Sequence, residues 1–307
     1  MSAADDNFDA RPGVTPLTAI GEFPPPSATV QVAFGAQSRR GRSRLVNEDH
    51  YVVFRLVRQQ STLLSSLPED VFGREFNEYG YAMAVADGLG AVGTGESASR
   101  LAITTLVHLV RHFGKWNLRI DRKIAQEIME RAEAFYRHVD STVVHQALTG
   151  PIPGLQTTLT ATFGAGRDLF FAHVGHSRAY LLREGQLMRL TRDHTIGRNH
   201  TTTVPVAPLV DVNATARDLK HILTNTIGMR GSAGPEIDLE RFRLADNDVV
   251  LVCTNGLTDA VDEKSIRDVL ASPASPDGKC RELVERALTA GGEDDATALV
   301  ANYNIPA

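Results

Sequence analysis

Tyr81-Ala-Met-Ala-Val-Ala-Asp87-Gly-Leu-Gly-Ala-Val-Gly93 is the segment on which the choice of fold turns. Tyr81 to Ala86 is a short apolar run of the kind a buried strand shows. It ends on a carboxylate, Asp87, and then on a glycine-rich break. Gly88 to Gly93 has the spacing G-x-G-x-x-G, the phosphate-cradling turn of a dinucleotide-binding βαβ unit in a parallel sheet. Such a unit needs an acid about 20 residues further on, at the end of a second strand. Residues 106–113 instead read Leu-Val-His-Leu-Val-Arg-His-Phe, with Leu106, Leu109, Val110 and Phe113 at helical spacing. No Gly-Lys-Ser/Thr ending of the Walker type occurs either. The glycines are better explained as letting backbone pass close to a centre that Asp87 opens.

Working outward, Val30, Val32 and Phe34 alternate as in a half-buried strand, and Tyr51 to Val57 reads as a second. Residues 58–78 are polar and charged around Pro68, an inserted loop with room for one helical turn. After the first helix, Ile124, Ile128, Ala132, Phe135 and Val139 keep one face of a second helix apolar. Pro151 to Gly154 breaks the chain. Strands are expected at 158–164, 169–174, 179–183 and 186–190, with Arg183-Glu-Gly185 as a hairpin turn. Residues 192–214 read as a surface flap, and Leu219, Ile222, Leu223 and Ile227 as a helix. Strands at 236–243 and 248–253, two helices between about 263 and 289, and a strand at 296–302 complete the chain. Strands and helices segregate rather than alternate, which favours an α+β layered domain. We expect one domain over 29–307, preceded by a Pro-rich, disordered tail at 1–28.

The bulk numbers narrow the function. The chain has 307 residues, 42% hydrophobic and 22% charged, so it can build a sizeable core. A net charge of −5 argues against a nucleic-acid binder. No run approaches the roughly 20 apolar residues of a membrane span. Cys253 and Cys280 stand far apart, outside any C-x-x-C motif, and read as thiols in a reducing compartment, with the cytoplasm as the default location.

The acids share one context. Glu48 and Asp49 precede the strand near Tyr51, Asp87 ends the run 82–86, and Asp294 and Asp295 lead into the last strand. Taken singly, each is a turn or cap residue. Together, carboxylates at strand ends can converge on one sheet edge, where hard divalent cations take oxygen ligands and keep several waters.

An ordered set of motifs resembles protein phosphatase 2C, the metal-dependent phosphatase family, in its bacterial form. It comprises Arg44-Leu-Val-Asn-Glu-Asp49, Val85-Ala-Asp-Gly-Leu-Gly90, Gly95-Glu-Ser-Ala-Ser99, Thr157-Thr158, Val174-Gly-His-Ser-Arg-Ala-Tyr-Leu181, Leu190-Thr-Arg-Asp-His-Thr195, Leu223-Thr-Asn-Thr-Ile-Gly228, Thr254-Asn-Gly-Leu-Thr-Asp259 and Gly291-Gly-Glu-Asp-Asp-Ala-Thr297. The resemblance runs from about residue 35 to 303. It implies a four-layer sandwich of two antiparallel β-sheets flanked by α-helices, with two Mn²⁺ or Mg²⁺ ions at one end. By resemblance, Asp87 bridges the metals and Gly88 offers a carbonyl oxygen. Glu48, Asp49, Asp294 and the residue at 255 complete the metal set. Arg44 binds the substrate phosphate, and water activated by the metals attacks phosphorus.

Three departures stand out. Asn255 replaces a metal-ligand aspartate and brings no charge, which weakens a hard-cation site. His176 replaces an aspartate linked to a third metal, so with Asp259 it marks a third site that is absent or altered. His176 is either a new ligand favouring Mn²⁺ or Zn²⁺ or, the commoner case, a satisfied or surface histidine at a strand end. Ala91, the third and milder change, stands where a second glycine is common, and separately Leu89 stands where some relatives carry a histidine as a candidate general acid. Asp295, for its part, adds a carboxylate that partly offsets the charge missing at Asn255. The expected function is hydrolysis of phosphoserine or phosphothreonine in proteins. Alternatives are a catalytically impaired, phosphoprotein-binding relative and a phosphatase for a small phosphoester.

Overall fold

The structure, a computed structural model, describes residues 30–67, 75–90, 93–114, 120–196, 221–229, 231 and 234–305. The expected tail at 1–28, most of the flap at 192–214 and Leu219 lie outside the described residues.

The strands form two antiparallel sheets. We number them β1 (Gln31–Arg39), β2 (Asp49–Ser61), β3 (Glu75–Leu89), β4 (Gln156–Thr157), β5 (Leu159–Ala165), β6 (Asp168–Val174), β7 (Arg178–Arg183), β8 (Gln186–Arg189), β9 (Asp238–Arg243), β10 (Val249–Cys253) and β11 (Ala296–Asn304). The helices are α1 (Thr94–Phe113), α2 (Arg122–Thr149), α3 (Asn255–Thr258), α4 (Glu263–Leu270) and α5 (Pro276–Thr289). One sheet runs β1-β11-β10-β7-β8. The other runs β2-β3-β5-β6-β9, with β4 attached to β3. Because β3 has antiparallel neighbours on both sides, Gly88 to Gly93 cannot be the turn of a parallel βαβ unit.

Three apolar clusters make the four layers. Between the sheets lie Met83, Val85, Phe171, Leu181, Val250, Val252, Leu299 and Tyr303. These are the inward members of the period-2 alternation in their strands. Ala98, Ala102, Leu106, Tyr136, Val139 and Val143 seat α1 and α2 on the second sheet. Tyr136 also fixes α2 by donating its hydroxyl to the Ala172 carbonyl at 2.7 Å. Ile266, Leu270, Cys280, Leu283 and Val284 seat α4 and α5 on the first sheet. Both cysteines are buried free thiols.

Two expectations are corrected. Residues 58–61 and 75–78 are not loop: β2 and β3 continue as a hairpin from Asp49↔Asp87 to Ser61↔Glu75. Polar side chains misled there because an edge hairpin projecting past the core needs no apolar face. Nor do Ile222, Leu223 and Ile227 lie on a helix. Leu223 bridges Thr195, and Ile227 bridges Thr157 with both backbone hydrogen bonds made, at 3.0 and 2.9 Å. Their helix-like spacing is accidental, since only Ile227 enters the core. The Arg183–Gly185 turn does form, with Glu184 and Gly185 at φ 49° and 77°, the backbone of a two-residue hairpin.

Gly35 on β1 faces the start of α5, where an added Cβ would lie 2.2 Å from the Asp277 nitrogen. Gly35→Ala is therefore expected to lower the unfolding free energy by about 1–3 kcal/mol, read from urea denaturation. An unchanged midpoint would contradict this packing.

Candidate metal centre

Antiparallel alternation brings the starts of β2 and β11 and the ends of β3 and β10 to one end of the sandwich. Asp49 and Asp87 are direct partners across the β2–β3 hairpin. Glycines allow the surrounding backbone to close in. A Cβ on Gly88 would sit 2.0 Å from the Gly95 carbonyl oxygen, and one on Gly256 2.1 Å from that of Asp295. The Asp-Gly pair thus continues β3 directly under the first turn of α1.

Each acid has its own setting. Asp49 is buried, and its Oδ2 accepts from the hydroxyls of Thr254 at 2.8 Å and Thr297 at 2.6 Å. Its Oδ1 is buried without a partner. Asp87 is held through its backbone: its N–H donates to Thr158 Oγ1, and its carbonyl accepts from Thr157 Oγ1 at 2.8 Å and the Thr158 N–H at 2.9 Å. Its Oδ2 is likewise buried and unpartnered. Glu48 accepts from the Gly93 N–H and from Arg44 Nη1, each at 3.0 Å. The Arg44 guanidinium also reaches Asp294 Oδ1, with Nε at 2.8 Å and Nη2 at 2.7 Å.

Asn255 begins α3 and donates Nδ2 to Asp259 Oδ2 at 3.2 Å, while its Oδ1 is buried and unpaired. Asp259 is thereby the holder of Asn255 and lies 3.5 Å from His221. His176 is neither a surface nor a satisfied histidine, contrary to the commoner expectation. It is 6% exposed, its Nδ1 has no hydrogen-bond partner, and that atom faces Asp87 Oδ2 at 3.8 Å. Asp295 is not a spare ligand, because its two oxygens accept from the Gly41 and Glu48 N–H groups at 2.8 and 2.7 Å. Thr254 and Thr297, which cradle Asp49, were missed in the sequence. Both stand inside motifs quoted above, but two threonines 43 positions apart give no local sign that they meet at Asp49.

The electrostatics are those of a site lacking positive charge. Burial, then repulsion from Asp49 and Asp294, pushes the Asp87 carboxyl well above its usual range. Burial does the same to Asp49 against the pull of its two threonine hydroxyls, with Asp295 and Asp294 adding to the rise. Burial lowers the His176 imidazole to about 4. Buried oxygens left without a donor are costly, and a divalent cation is the group that satisfies several at once and favours their ionised form. Asp49 Oδ1, Asp87 Oδ2 and Asn255 Oδ1 are oxygens of that kind, each buried without a partner. Among the described residues, no three His, Cys, Asp or Glu side chains already converge on one metal position. The donors are spread along the strand ends, as suits ions that keep several waters, with Arg44 spanning Glu48 and Asp294.

A two-sheet sandwich with acids at one end defines the class, and comparison places the chain within it. The protein phosphatase 2C profile matches residues 65–290. The chain belongs to the protein phosphatase 2C family. It is 33% identical over 224 residues to the serine/threonine protein phosphatase PstP of Mycobacterium tuberculosis, covering 72% of this chain and 40% of that one. It therefore spans well under half the length of that relative. The serine/threonine phosphatase stp of Listeria welshimeri is 28% identical over 267 residues, covering 87% and 94%. Among solved structures, the catalytic domain of PstP in complex with two manganese ions superposes with a TM-score of 0.66 at 27% identity, covering 90% of this chain and 99% of that one.

Divalent cations should raise the thermal midpoint of the chain, and the gain should shrink with acidity. Below their raised pKa values, Asp87 and Asp49 take up protons in the metal-free fold, and a bound ion must displace them. At Mn²⁺ about 100-fold above its dissociation constant the stabilisation is about 2.7 kcal/mol where both carboxyls are ionised, and it falls as the pH drops into their raised range. Thermal melts with and without Mn²⁺ at each pH check this. A gain independent of pH would contradict the assignment of these carboxylates.

Proposed function

We propose that this chain hydrolyses phosphoserine and phosphothreonine esters on proteins, using two Mn²⁺ or Mg²⁺ ions. The observation that carries the reading is the set of buried, unpartnered oxygens of Asp49, Asp87 and Asn255 at the strand ends, beside a guanidinium. The kinship with PstP, whose catalytic domain binds two manganese ions, supports it. Asp87, Asp49, Glu48, Asp294, Asn255 and the Gly88 carbonyl would hold the metals. Bound there, divalent ions supply the charge that stabilises the phosphoryl group and the acidity that readies water for attack.

The chain's own residues do the rest. Asp87 presents its carboxylate from a backbone fixed by Thr157 and Thr158, so its position survives changes in the metal set. Arg44 carries a planar guanidinium suited to two phosphate oxygens. Its bonds to Asp294 and Glu48 are those it would exchange for the substrate phosphate if those acids held metal instead. Leu45, 72% exposed, and Val46 follow Arg44 and would give the phosphorylated side chain an apolar surface to lie on. With Leu89 following Asp87-Gly88, this chain offers no imidazole there to protonate the leaving alcohol, and the proton comes from solvent. Asn255 lowers the negative charge around the metals and limits their affinity. The same reading puts the protein in the cytoplasm, where two buried free thiols persist. No helix among the described residues is long and apolar enough to cross a membrane.

Hydrolysis of a phosphothreonine peptide and of an aryl phosphate, each with Mn²⁺ and after chelation, tests the proposal. Turnover is expected only with metal, and Asp87→Ala should reduce it by about a hundredfold or more. Asn255→Asp should lower the Mn²⁺ concentration needed for half-maximal rate. Undiminished turnover by Asp87→Ala, or after chelation, would refute the reading.

A further inference from the structure

We infer that His176 is a nitrogen donor to the cation held at Asp87, and that it tilts the centre toward transition-metal ions and away from Mg²⁺. This inference rests on the metal-dependent reading above. His176 sits at the turn where the chain leaves β6 in one sheet for β7 in the other, after Gly175 at φ 116°. The turn is braced by the Thr158–Ser177 hydroxyl pair at 2.9 Å. The ring is therefore aimed by backbone, and it is aimed inward.

The spacing carries the argument. His176 Nδ1 and Asp87 Oδ2 are 3.8 Å apart, and neither has a hydrogen-bond partner. That is too long for a hydrogen bond. Two unpaired buried donors at this separation suit a shared ion instead. With donor–metal distances of about 2.1 Å, a 3.8 Å gap subtends an angle of about 130° at the metal. Coordination spheres of transition metals tolerate such an angle, whereas Mg²⁺ demands a near-ideal octahedron. Beyond Asp87, the described acids near the imidazole are engaged elsewhere. Asp193 is committed to Arg178, with Oδ2 2.7 Å from Nη2, and Asp259 is committed to Asn255 and His221.

The donor set itself points the same way. Imidazole nitrogen at 176, which faces Asp87, and the buried, unpaired amide oxygen at 255 are both neutral. Affinity for hard cations rises with ligand charge, so two neutral donors weaken Mg²⁺. Imidazole suits first-row transition metals, whose affinity for nitrogen climbs along the series from Mn²⁺. The two unusual positions thus act together: one removes charge that Mg²⁺ needs, and the other adds a donor that Mg²⁺ uses poorly.

Electron spin-echo envelope modulation of Mn²⁺ on the chelator-stripped, reloaded full chain reads the nitrogen directly. The wild type should show ¹⁴N modulation that changes to the ¹⁵N pattern when histidine is ¹⁵N-labelled. That modulation should vanish in His176→Gln while Mn²⁺ stays bound. Calorimetric titration of His176→Asp should show the Mn²⁺ to Mg²⁺ affinity ratio fall by about tenfold or more. The labelled wild type needs no substitution, so a variant that folds poorly does not obscure the answer. Mn²⁺ bound without histidine nitrogen, or with modulation unchanged in His176→Gln, overturns the inference and leaves the metal-dependent reading standing. Absence of any Mn²⁺ binding that depends on Asp87 overturns both.

Discussion

Asp49 and Asp87 face each other across the first residue pair of a β-hairpin, both buried, both next to further acids. Like charges at that spacing repel, and burial strengthens the repulsion because little water screens it. The rest of this end of the molecule can be understood as what makes such a pairing tolerable. Thr254 and Thr297 give two hydroxyl hydrogen bonds to one oxygen of Asp49. Asp87 is clamped only by its backbone, so its carboxylate is positioned without being neutralised. Arg44 lends one positive charge to Glu48 and Asp294. These devices leave oxygens on Asp49 and Asp87 unsatisfied, a local instability of the kind that functional sites retain.

The sandwich supplies the rigidity this requires. Three separate apolar layers lock the two sheets and the helices, and the acids stand at strand ends, with Asp49 opening the partly exposed edge strand β2 and Asp87 near the end of its neighbour β3. Close glycine contacts, Gly88 on Gly95 and Gly256 on Asp295, bring backbone from three elements and the loop before β11 to one place. Asp295 ties β11 to the Gly41 and Glu48 amides, which sets the loop bearing Arg44 against the acids. The charge at 295 is a strut, and it bears on the metals only by adding to the field that raises Asp49 and Asp87.

Much of this was legible in the sequence, for a physical reason. Apolar runs ending on an acid, and glycines beside those acids, are local signals, and a strand end is a local event. Asp87, Glu48, Asp49 and Asp294 could therefore be named, and so could most strands and four of the five helices. Long-range contacts left no such trace. Thr254 and Thr297 meet Asp49 only through folding. Ile222, Leu223 and Ile227 have the spacing of a helix but serve as bridges to distant residues. The β2–β3 hairpin was cut short because residues beyond the core have no apolar partner to reveal their pleat. His176 shows the limit most sharply: composition favoured a surface or satisfied ring, and only its burial and its 3.8 Å approach to Asp87 show where it points.

A phosphatase centre here requires cations at the positions that these unpaired oxygens define. Anomalous diffraction from crystals of the chain grown with Mn²⁺, recorded at the manganese edge, tests that most directly. The account predicts anomalous peaks within bonding distance of the Asp87 carboxylate, with Asp49 and Asp294 close by and the Arg44 guanidinium released from Asp294. An empty centre at saturating Mn²⁺, with Asp87 Oδ2 hydrogen-bonded to protein and Arg44 still bridging Glu48 and Asp294, would contradict it.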